Sequence, residues 1–399
     1  MLPPSGRTAL VPLSLLVAAL AGGAGGACGG GGGGGAVTPT QPPPPPPPRQ
    51  ATRLGEVLDS LRVALDLPAL AGAIVTGEGV AAEAVGARRA GGPLDVTAAD
   101  RFHLGSNTKA MTAALLGTVV DEGRLAWDTP LATAFPPLAG EMRPEYRAVT
   151  VRELLAHVGG LVPNVPAAVA GVGSAAEQRA RVVAWALAQP PVAARGTFAY
   201  SNVGYIVAGA LAERLLARDY ETLLGERLLR PLGVTTLGFG AMGADGGAQP
   251  WQHVIGVDGR RTAVAPGPLA DNPPPYSPAG RAHMTIADWG RWVQWVLAAD
   301  AGRAQPLLRP ATAAMLGAAV APAGPGAQAA LGWLVVERGW AGGRTLTHSG
   351  SNTLSYSVAW LAPGRGFAVL VATNQAGGDT DRRVDAVAGR LLRLHETGR

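Results

Sequence analysis

The chain has 399 residues, of which 47% are hydrophobic and 15% are charged, so it is long enough to bury a large globular core. Its net charge of +5 comes from scattered arginines without a basic stripe or interleaved aromatic residues, which argues against a nucleic-acid partner. Cys28 is the only cysteine, so an internal disulfide is excluded.

The first 50 residues differ in composition from the rest of the chain. Arg7 precedes the apolar run ALVPLSLLVAAL, and small residues follow it, which predicts a signal peptide over residues 1–27. The glycine and proline tracts of residues 28–50 predict a disordered linker. We therefore expect export to the periplasm or the cell surface. Two alternatives remain open for Cys28, which is either lipidated and anchors the protein to a membrane, or is removed or ignored by ordinary signal cleavage.

The remaining domain, residues 51–395, begins with an amphipathic pattern. Leu54, Leu58, Leu61 and Leu65 have helical spacing, which predicts a helix over residues 53–67. The stretch AGAIVTGEGVAAEAVGARR then predicts a hairpin of two short strands around GEG. From Ser106 to Gly123 the pattern is helical again. Residues 110–300 are predicted to form mostly alanine- and leucine-rich helices broken by Pro/Gly loops.

The C-terminal part of the chain has the pattern of strands. Four runs, LGWLVVE, RTLTHSG, SYSVAWLAP and GFAVLVATN, are separated by turn residues. A final helix carries Val384, Val387, Leu391 and Leu394 on one face. We predict an α+β fold with one antiparallel sheet built from both ends of the chain and flanked by helices. The sheet subdomain would comprise about residues 51–105 and 300–395, and the inserted, mostly helical subdomain about residues 106–299.

Several common motifs carry no function here. GFGAMG (238–243) matches a dinucleotide-binding fingerprint, but ADGGAQPWQ follows it where a helix would be required. No G-x-S-x-G or H-E-x-x-H sequence occurs, and the six histidines do not cluster with carboxylates at ligand spacing. We expect neither a metal nor an organic cofactor.

The stretch GSNTK contains the only lysine of the chain, Lys109, among 33 Lys and Arg residues. Arginine stays protonated in proteins, whereas a lysine amine can lose its proton and act as a base. If Ser106 opens a helix, it lies one turn from Lys109 on the same face, at the positive end of the helix dipole. This spacing predicts a serine nucleophile with its base beside it.

Two further short motifs carry candidate site residues. FAYSNVGY places Tyr200 and Asn202 in a loop, where a phenol can relay a proton and an amide can bind an acyl substituent. LTHSGS places His348 and Gly350 on a predicted strand, where glycine would let a substrate approach closely. Taken alone, such a tyrosine is more often a packed loop residue and such a histidine more often a half-buried strand residue than part of a site.

Together these motifs resemble S-x-x-K, Y-x-N and the K-T-G or H-x-G motif of the serine β-lactamase and penicillin-recognising family. FHLGSNTKAMTAALLGTVVDEGRLAWDTPL, VTVRELLAHVGGL and SPAGRAHMTIADWGRW are also similar to segments of that family, and the resemblance covers about residues 54–394. It implies a β-lactamase/transpeptidase-like fold in which Ser106 is acylated while Lys109 and Tyr200 move the proton.

The resemblance also implies the remaining site residues. The backbone N–H groups of Ser106 and Ser351 would form the oxyanion hole, and Asn202 and His348 would orient the acyl group. The chain departs from the family after HSG, where SNTLSYS replaces the usual glycine-rich turn, so the shape of the pocket around residues 351–354 stays open.

Three functions are compatible with this pattern. A histidine is mostly neutral at pH 7 and holds a substrate carboxylate less well than a lysine, which favours an esterase or a D-amino-acid peptidase or DD-carboxypeptidase. The first alternative is a class C-like β-lactamase, since the S-D-N element of class A enzymes is absent. The second is a non-catalytic, penicillin-binding surface lipoprotein. We expect a monomer whose partner is a small-molecule or peptidoglycan-like substrate.

Overall fold

The computed structural model describes residues 52–244, 246–303 and 307–398. The predicted signal peptide (1–27) and linker (28–50), with Cys28, lie outside these residues. Among the helices in the described ranges, none is long and apolar enough to cross a membrane.

The strands of the fold form one large and two small sheets. The large sheet is antiparallel and has eight strands in the order β2-β1-β13-β12-β11-β10-β9-β8, and the small sheets have the orders β14-β5-β6 and β3-β7-β4. The strands are β1 (Ala69–Thr76), β2 (Val80–Gly86), β3 (Arg101–His103), β4 (Gly238–Phe239), β5 (Gln252–Ile255), β6 (Arg261–Val264), β7 (Ala282–Thr285), β8 (Ala321–Gly324), β9 (Ala327–Ala329), β10 (Leu334–Arg338), β11 (Gly343–Ser351), β12 (Tyr356–Ala362), β13 (Phe367–Thr373) and β14 (Gln375–Gly377).

Helices fill the middle of the chain and cover the large sheet. They are α1 (Arg53–Ala64), α2 (Thr108–Asp121), α3 (Leu131–Ala134), α4 (Pro144–Arg147), α5 (Val151–Leu155), α6 (Ala167–Ala170), α7 (Ala175–Leu187), α8 (Asn202–Leu216), α9 (Tyr220–Leu223), α10 (Ser277–Gly280), α11 (Ile286–Asp300), α12 (Pro310–Leu316) and α13 (Thr380–Thr397). A π-helical turn, Leu224–Leu229, continues α9. The 3-10 turns are Gly105–Asn107, Pro136–Leu138, Arg230–Leu232, Pro274–Tyr276, Gly339–Ala341 and Pro363–Arg365.

The central strands of the large sheet are buried on both faces. Helices α1 and α13 cover one face with an apolar cluster that includes Leu58, Val387 and Leu391. The opposite face packs on α11 and α2 within the larger apolar core. Strand β13 is therefore buried at every position, and its sequence, FAVLVAT, is a continuous apolar run instead of an alternating one.

The architecture agrees with the predicted α+β fold. The N-terminal hairpin β1–β2 pairs through β1 with β13, so both ends of the chain do build one sheet. The sequence did not indicate the edge strand β8 and its neighbour β9, nor strands β4 to β7 in the middle of the chain. These strands have two to four residues and lie in stretches rich in Gly, Pro and Ala, where alternation is too short to be recognised. The proposed division into two subdomains stays a prediction.

Two elements bring the candidate site together. Helix α2 is buried along nearly its whole length and begins directly after the turn Gly105–Asn107. Strand β11 of the large sheet runs past the same turn. A Cβ built on Gly350 would lie 2.0 Å from the Leu104 carbonyl oxygen and 2.8 Å from the Ser106 nitrogen, so only glycine permits this approach.

Candidate active site

Ser106 lies in the turn between β3 and α2 and is half-buried. The preceding Gly105 has φ +50°, a left-handed conformation that favours glycine. A Cβ there would also lie 2.4 Å from the backbone nitrogen of Ser351. Thr108 closes the turn by donating its Oγ1 hydrogen to the Gly105 carbonyl at 2.7 Å. The turn thus fixes Ser106 against strand β11.

Lys109 lies one turn into the helix and has no solvent-exposed surface. Its Nζ is 3.0 Å from Ser106 Oγ, 2.7 Å from Asn202 Oδ1 and 2.6 Å from the Ala279 carbonyl oxygen. Burial lowers the pKa of Lys109 well below its ordinary value, because no carboxylate offsets the loss of hydration. A neutral amine has two hydrogens, which the Asn202 and Ala279 oxygens accept. Its lone pair then faces the Ser106 hydroxyl.

Tyr200 contacts the same serine from the other side. Its hydroxyl donates to Ser106 Oγ at 2.8 Å. The ring lies against the buried His157, with centroids 4.4 Å apart, and over Nζ of Lys109 at 4.9 Å. Desolvation raises the pKa of Tyr200, an effect limited by its 38% exposure, while the bond to Ser106 lowers it. The phenol is therefore protonated at neutral pH and can donate a proton.

Asn202 begins helix α8 beside Lys109. Ser201 caps this helix by accepting a hydrogen bond from the Gly204 N–H at 3.0 Å. The Asn202 carbonyl accepts from Lys109, and its amide donates to Asn164 Oδ1 at 2.8 Å. In this arrangement Asn202 holds the lysine amine. Its predicted contact with an acyl substituent remains a prediction.

His348 lies on β11 and is 8% exposed. Desolvation, followed by the nearby Lys109, lowers its pKa to about 4, although a bond from Nδ1 to the Ser349 carbonyl at 2.6 Å opposes this. Because a carbonyl can only accept, the proton of the neutral ring is on Nδ1. His348 is thus an uncharged group near Tyr200, with ring centroids 6.4 Å apart.

The backbone N–H groups of Ser106 and Ser351 lie on the two segments that meet at Gly105 and Gly350. Both segments are packed backbone to backbone, as the distances from the glycine Cβ positions show. Two peptide N–H groups held by rigid backbone can stabilise a developing oxyanion without reorganisation. Their predicted role as an oxyanion hole remains a prediction.

Several groups near the site carry no signal in the sequence. Asn164 and the Ala279 carbonyl contact the Asn202–Lys109 pair, and Asp271 and Asn352 form a buried cluster behind Ser106. No periodicity or spacing marks them, because the tertiary fold brings in Asn164, Asp271 and Asn352 from loops and Ala279 from the short helix α10. Among the described residues, no group of three or more His, Cys, Asp or Glu side chains is arranged to hold a metal ion.

Comparison with known proteins gives a family match over residues 58–394, to the family described as Beta-lactamase. Penicillin-binding protein 4 of Amycolatopsis lactamdurans is 28% identical over 335 residues, which are 80% of this chain and 84% of that protein. An unguisins hydrolase, ungD', of Aspergillus campestris is 29% identical over 54% of this chain and 41% of its own length. The D-alanyl-D-alanine-carboxypeptidase/endopeptidase AmpH of Escherichia coli K12 is 26% identical over 49% of each chain.

The chain thus spans less than half of the fungal hydrolase and about half of AmpH, but most of the penicillin-binding protein. Solved structures with the same fold include the octameric penicillin-binding protein homologue of Pyrococcus abyssi, with a TM-score of 0.69 and 20% identity over 86% of this chain and 77% of that one. SurE with D-Leu has a TM-score of 0.68 and 23% identity over 85% and 74%.

Proposed function

The chain belongs to the beta-lactamase family, and from this premise we propose that it is a serine hydrolase that works through an acyl-enzyme on Ser106. One observation carries the proposal: Ser106 Oγ lies 3.0 Å from the Lys109 amine and 2.8 Å from the Tyr200 hydroxyl. A buried amine of lowered pKa beside a serine is a base, and a protonated phenol beside it is an acid.

In the proposed acylation step, Ser106 Oγ attacks the substrate carbonyl carbon and its proton moves to Lys109 Nζ. The carbonyl π electrons move to the oxygen, which the N–H groups of Ser106 and Ser351 stabilise. When the tetrahedral intermediate collapses, Tyr200 donates its proton to the leaving group and is reprotonated by Lys109. A water molecule then repeats the sequence on the acyl-enzyme, with Ser106 as the leaving group, and the acid product departs.

We propose a small ester or D-amino-acid amide as the substrate. His348 stands where a lysine would bind a substrate carboxylate, and with a pKa of about 4 it is uncharged at neutral pH. A substrate without a carboxylate therefore lacks no interaction that His348 could provide. A substrate carboxylate forms no ion pair with this neutral ring. The names of two relatives, a carboxypeptidase/endopeptidase and a hydrolase, support a hydrolytic activity.

A second candidate is a class C-like β-lactamase. Its support is the match to a penicillin-binding protein over 84% of that protein's length, since such proteins are acylated by β-lactam amides. A non-catalytic penicillin-binding module would keep acylation but lack turnover.

The test compares hydrolysis of a short-chain p-nitrophenyl ester, a D-Ala-D-Ala peptide and a chromogenic cephalosporin by the purified domain. We expect turnover of the ester well above that of the peptide and the cephalosporin, because both of these carry a carboxylate, and no turnover by Ser106→Ala. Faster cephalosporin turnover would establish the β-lactamase, and a single burst without turnover would establish the binding module. Turnover by Ser106→Ala equal to the wild type would refute a mechanism through Ser106.

We also propose that the protein is exported by residues 1–27, carried on the linker 28–50, and monomeric. In cells, Cys28→Ala should release the protein from the membrane fraction if Cys28 is lipidated. An unchanged distribution would mean that Cys28 anchors nothing. Light scattering of the purified domain should give the monomer mass, and a larger mass would contradict that proposal.

A further inference from the structure

The turn between β11 and β12 is held by a buried side chain. Asn352, which is 3% exposed, points inward and donates from Nδ2 to Gln252 Oε1 at 2.7 Å and to Asp271 Oδ1 at 3.0 Å. Its Oδ1 accepts from the N–H groups of Leu354 and Ser355 at 3.2 and 2.9 Å. All the hydrogen-bonding capacity of this amide is therefore used, and the neighbouring Ser351 is fixed.

The turn that carries Ser106 is held in the same way by His103, which is 1% exposed. The Gly105 N–H donates to His103 Nδ1 at 3.1 Å, so the ring proton is on Nε2. This Nε2 lies 3.1 Å from Asp271 Oδ2, to which it donates. His103 therefore connects the residue before the nucleophile to the same carboxylate that Asn352 contacts.

The two oxygens of Asp271 thus contact the two segments separately, Oδ2 through His103 and Oδ1 through Asn352. The side chain is 2% exposed, and Arg281 Nε lies 3.5 Å from Oδ2. Burial alone would raise the pKa of Asp271, but His103, Arg281 and Asn352 outweigh it and hold the pKa below its ordinary value. Asp271 is thus an ionised carboxylate that only accepts hydrogen bonds. This fits its two partners, since His103 and Asn352 both donate to it.

We propose that Asp271 is a positioning residue that holds the two N–H groups of the oxyanion hole, those of Ser106 and Ser351, in a fixed mutual geometry. This inference rests on the proposed acyl-enzyme mechanism. It also explains the departure of SNTLSYS from a glycine-rich turn, because an asparagine at position 352 supplies the contact that glycine would lack.

An isosteric amide cannot replace this carboxylate. In Asp271→Asn, the new NH2 group faces either the Nε2–H of His103 or the NH2 of Asn352, so two donors meet in either orientation. The other His103 tautomer would place its proton against the Gly105 N–H. One of the two links must therefore break, although volume and shape are unchanged.

The test measures phosphonylation of Ser106 by a fluorophosphonate as a function of reagent concentration. Asp271→Asn should lower the maximal rate about 10- to 100-fold and leave the apparent binding constant close to wild type, as expected for an oxyanion hole displaced by a fraction of an ångström. A purely structural defect would lower the labelled fraction and leave the rate of the folded molecules unchanged. The surface variant Asp128→Asn is the matched control.

A double-mutant cycle tests the link itself. His103→Ala and Asn352→Ala each break the same link, because both side chains are joined through Asp271. The double variant should therefore be labelled only slightly more slowly than the slower of the two single variants. In the Asp271→Asn background the link is already broken. Any remaining effects of His103→Ala and Asn352→Ala on the labelling rate should then be independent, so that their rate factors multiply. If Asp271→Asn does not fold, Asn352→Gly carries the test from the other segment.

If Asp271→Asn is labelled at the maximal rate of the wild type, the inference is overturned. The same holds for Asn352→Gly where that variant carries the test. The inference also fails if the effects of His103→Ala and Asn352→Ala on the labelling rate are independent in the wild-type background. These outcomes leave Ser106 reactive and the proposed mechanism intact. If the wild-type protein is not labelled at Ser106 at all, the proposed mechanism fails, and the inference fails with it.

Discussion

The hydroxyl of Tyr200 lies 2.8 Å from Oγ of Ser106, across 94 positions of sequence. The aromatic ring is fixed on one side by His157, and the Lys109 amine lies over its face. The serine is therefore contacted by an amine and a phenol whose pKa values are displaced in opposite directions. Such a pair separates the roles of base and acid.

Tyr200→Phe removes this hydroxyl and keeps the ring stacked on His157. We expect kcat to fall about 10²- to 10⁴-fold with little change in KM, because the phenol acts on the leaving group and does not bind the substrate. Steady-state kinetics on the best substrate measure the effect, and a thermal melt like that of the wild type shows that the fold is retained. A kcat equal to the wild type would remove Tyr200 from the mechanism.

The local part of the site was predictable from the sequence. Ser106 and Lys109 are three residues apart at a helix start, so local geometry alone brings them together. The positions of His348 and Gly350 follow from the alternation of a strand. The fold itself follows from apolar patterns long enough to define α1, α13 and the central strands.

The remaining part depends on contacts that no local pattern encodes. Asp271 meets His103 across 168 positions and Asn352 across 81, from a loop without periodicity. The hydrogen bond between Asn202 and Lys109, which the sequence did not predict, likewise depends on how α2 and α8 pack against each other. Strands β8 and β9 were missed because three or four small residues do not define a period.

Glycine at position 350 should be essential. In Gly350→Ala the methyl group would lie 2.0 Å from the Leu104 carbonyl oxygen, so strand β11 must move away from the Ser106 turn. We expect fluorophosphonate labelling to slow about 100-fold or more, and the free energy of unfolding to fall by about 1–3 kcal/mol. In the control Gly364→Ala, the new methyl group meets no atom within 4 Å. Equal labelling by both variants would show that the close approach is not needed.

The low pKa of His348 predicts acid sensitivity. In the unfolded chain the imidazole is protonated below its ordinary pKa of 6.5, but in the folded protein only below about 4. The unfolded state binds more protons between these values, so stability falls as the pH is lowered through this window. This histidine accounts for about 3 kcal/mol of that loss.

His348→Gln removes the titrating group while keeping a polar side chain of similar reach. Urea unfolding at pH 7 and pH 4.5 should show a smaller loss of unfolding free energy for the variant than for the wild type. Equal losses would mean that folding does not lower the pKa of His348 and would contradict the predicted acid sensitivity.

Arg179 is fully buried and joins three helices of the middle region. Its guanidinium forms paired hydrogen bonds with Glu213, at 3.0 and 2.5 Å, and with Glu221, at 2.9 and 2.8 Å. Arg179→Leu leaves two largely buried carboxylates without a cation, which should cost about 3–5 kcal/mol of unfolding free energy.

Arg152→Leu is the comparison, because Arg152 pairs with Asp128 at the surface and should cost no more than about 1 kcal/mol. Chemical denaturation measures both variants. Similar small losses would show that water reaches the Arg179 cluster and that the helices do not depend on it.

The central claim is that Lys109 acts as an uncharged base. Arginine retains the positive charge and the hydrogen-bond donors of lysine but cannot be deprotonated. The same claim predicts that wild-type labelling of Ser106 becomes faster as the pH rises and reaches a plateau below the ordinary pKa of lysine, since burial lowers the pKa of Lys109.

The most direct measurement is intact-protein mass after exposure to a fluorophosphonate, for the wild type, Ser106→Ala, Lys109→Arg and Lys109→Met, with a thermal melt of each variant. The wild type should gain the mass of one adduct, and the three folded variants should gain none in the same time. A folded Lys109→Arg that is labelled at the wild-type rate would contradict the account, because a permanently charged side chain would then suffice.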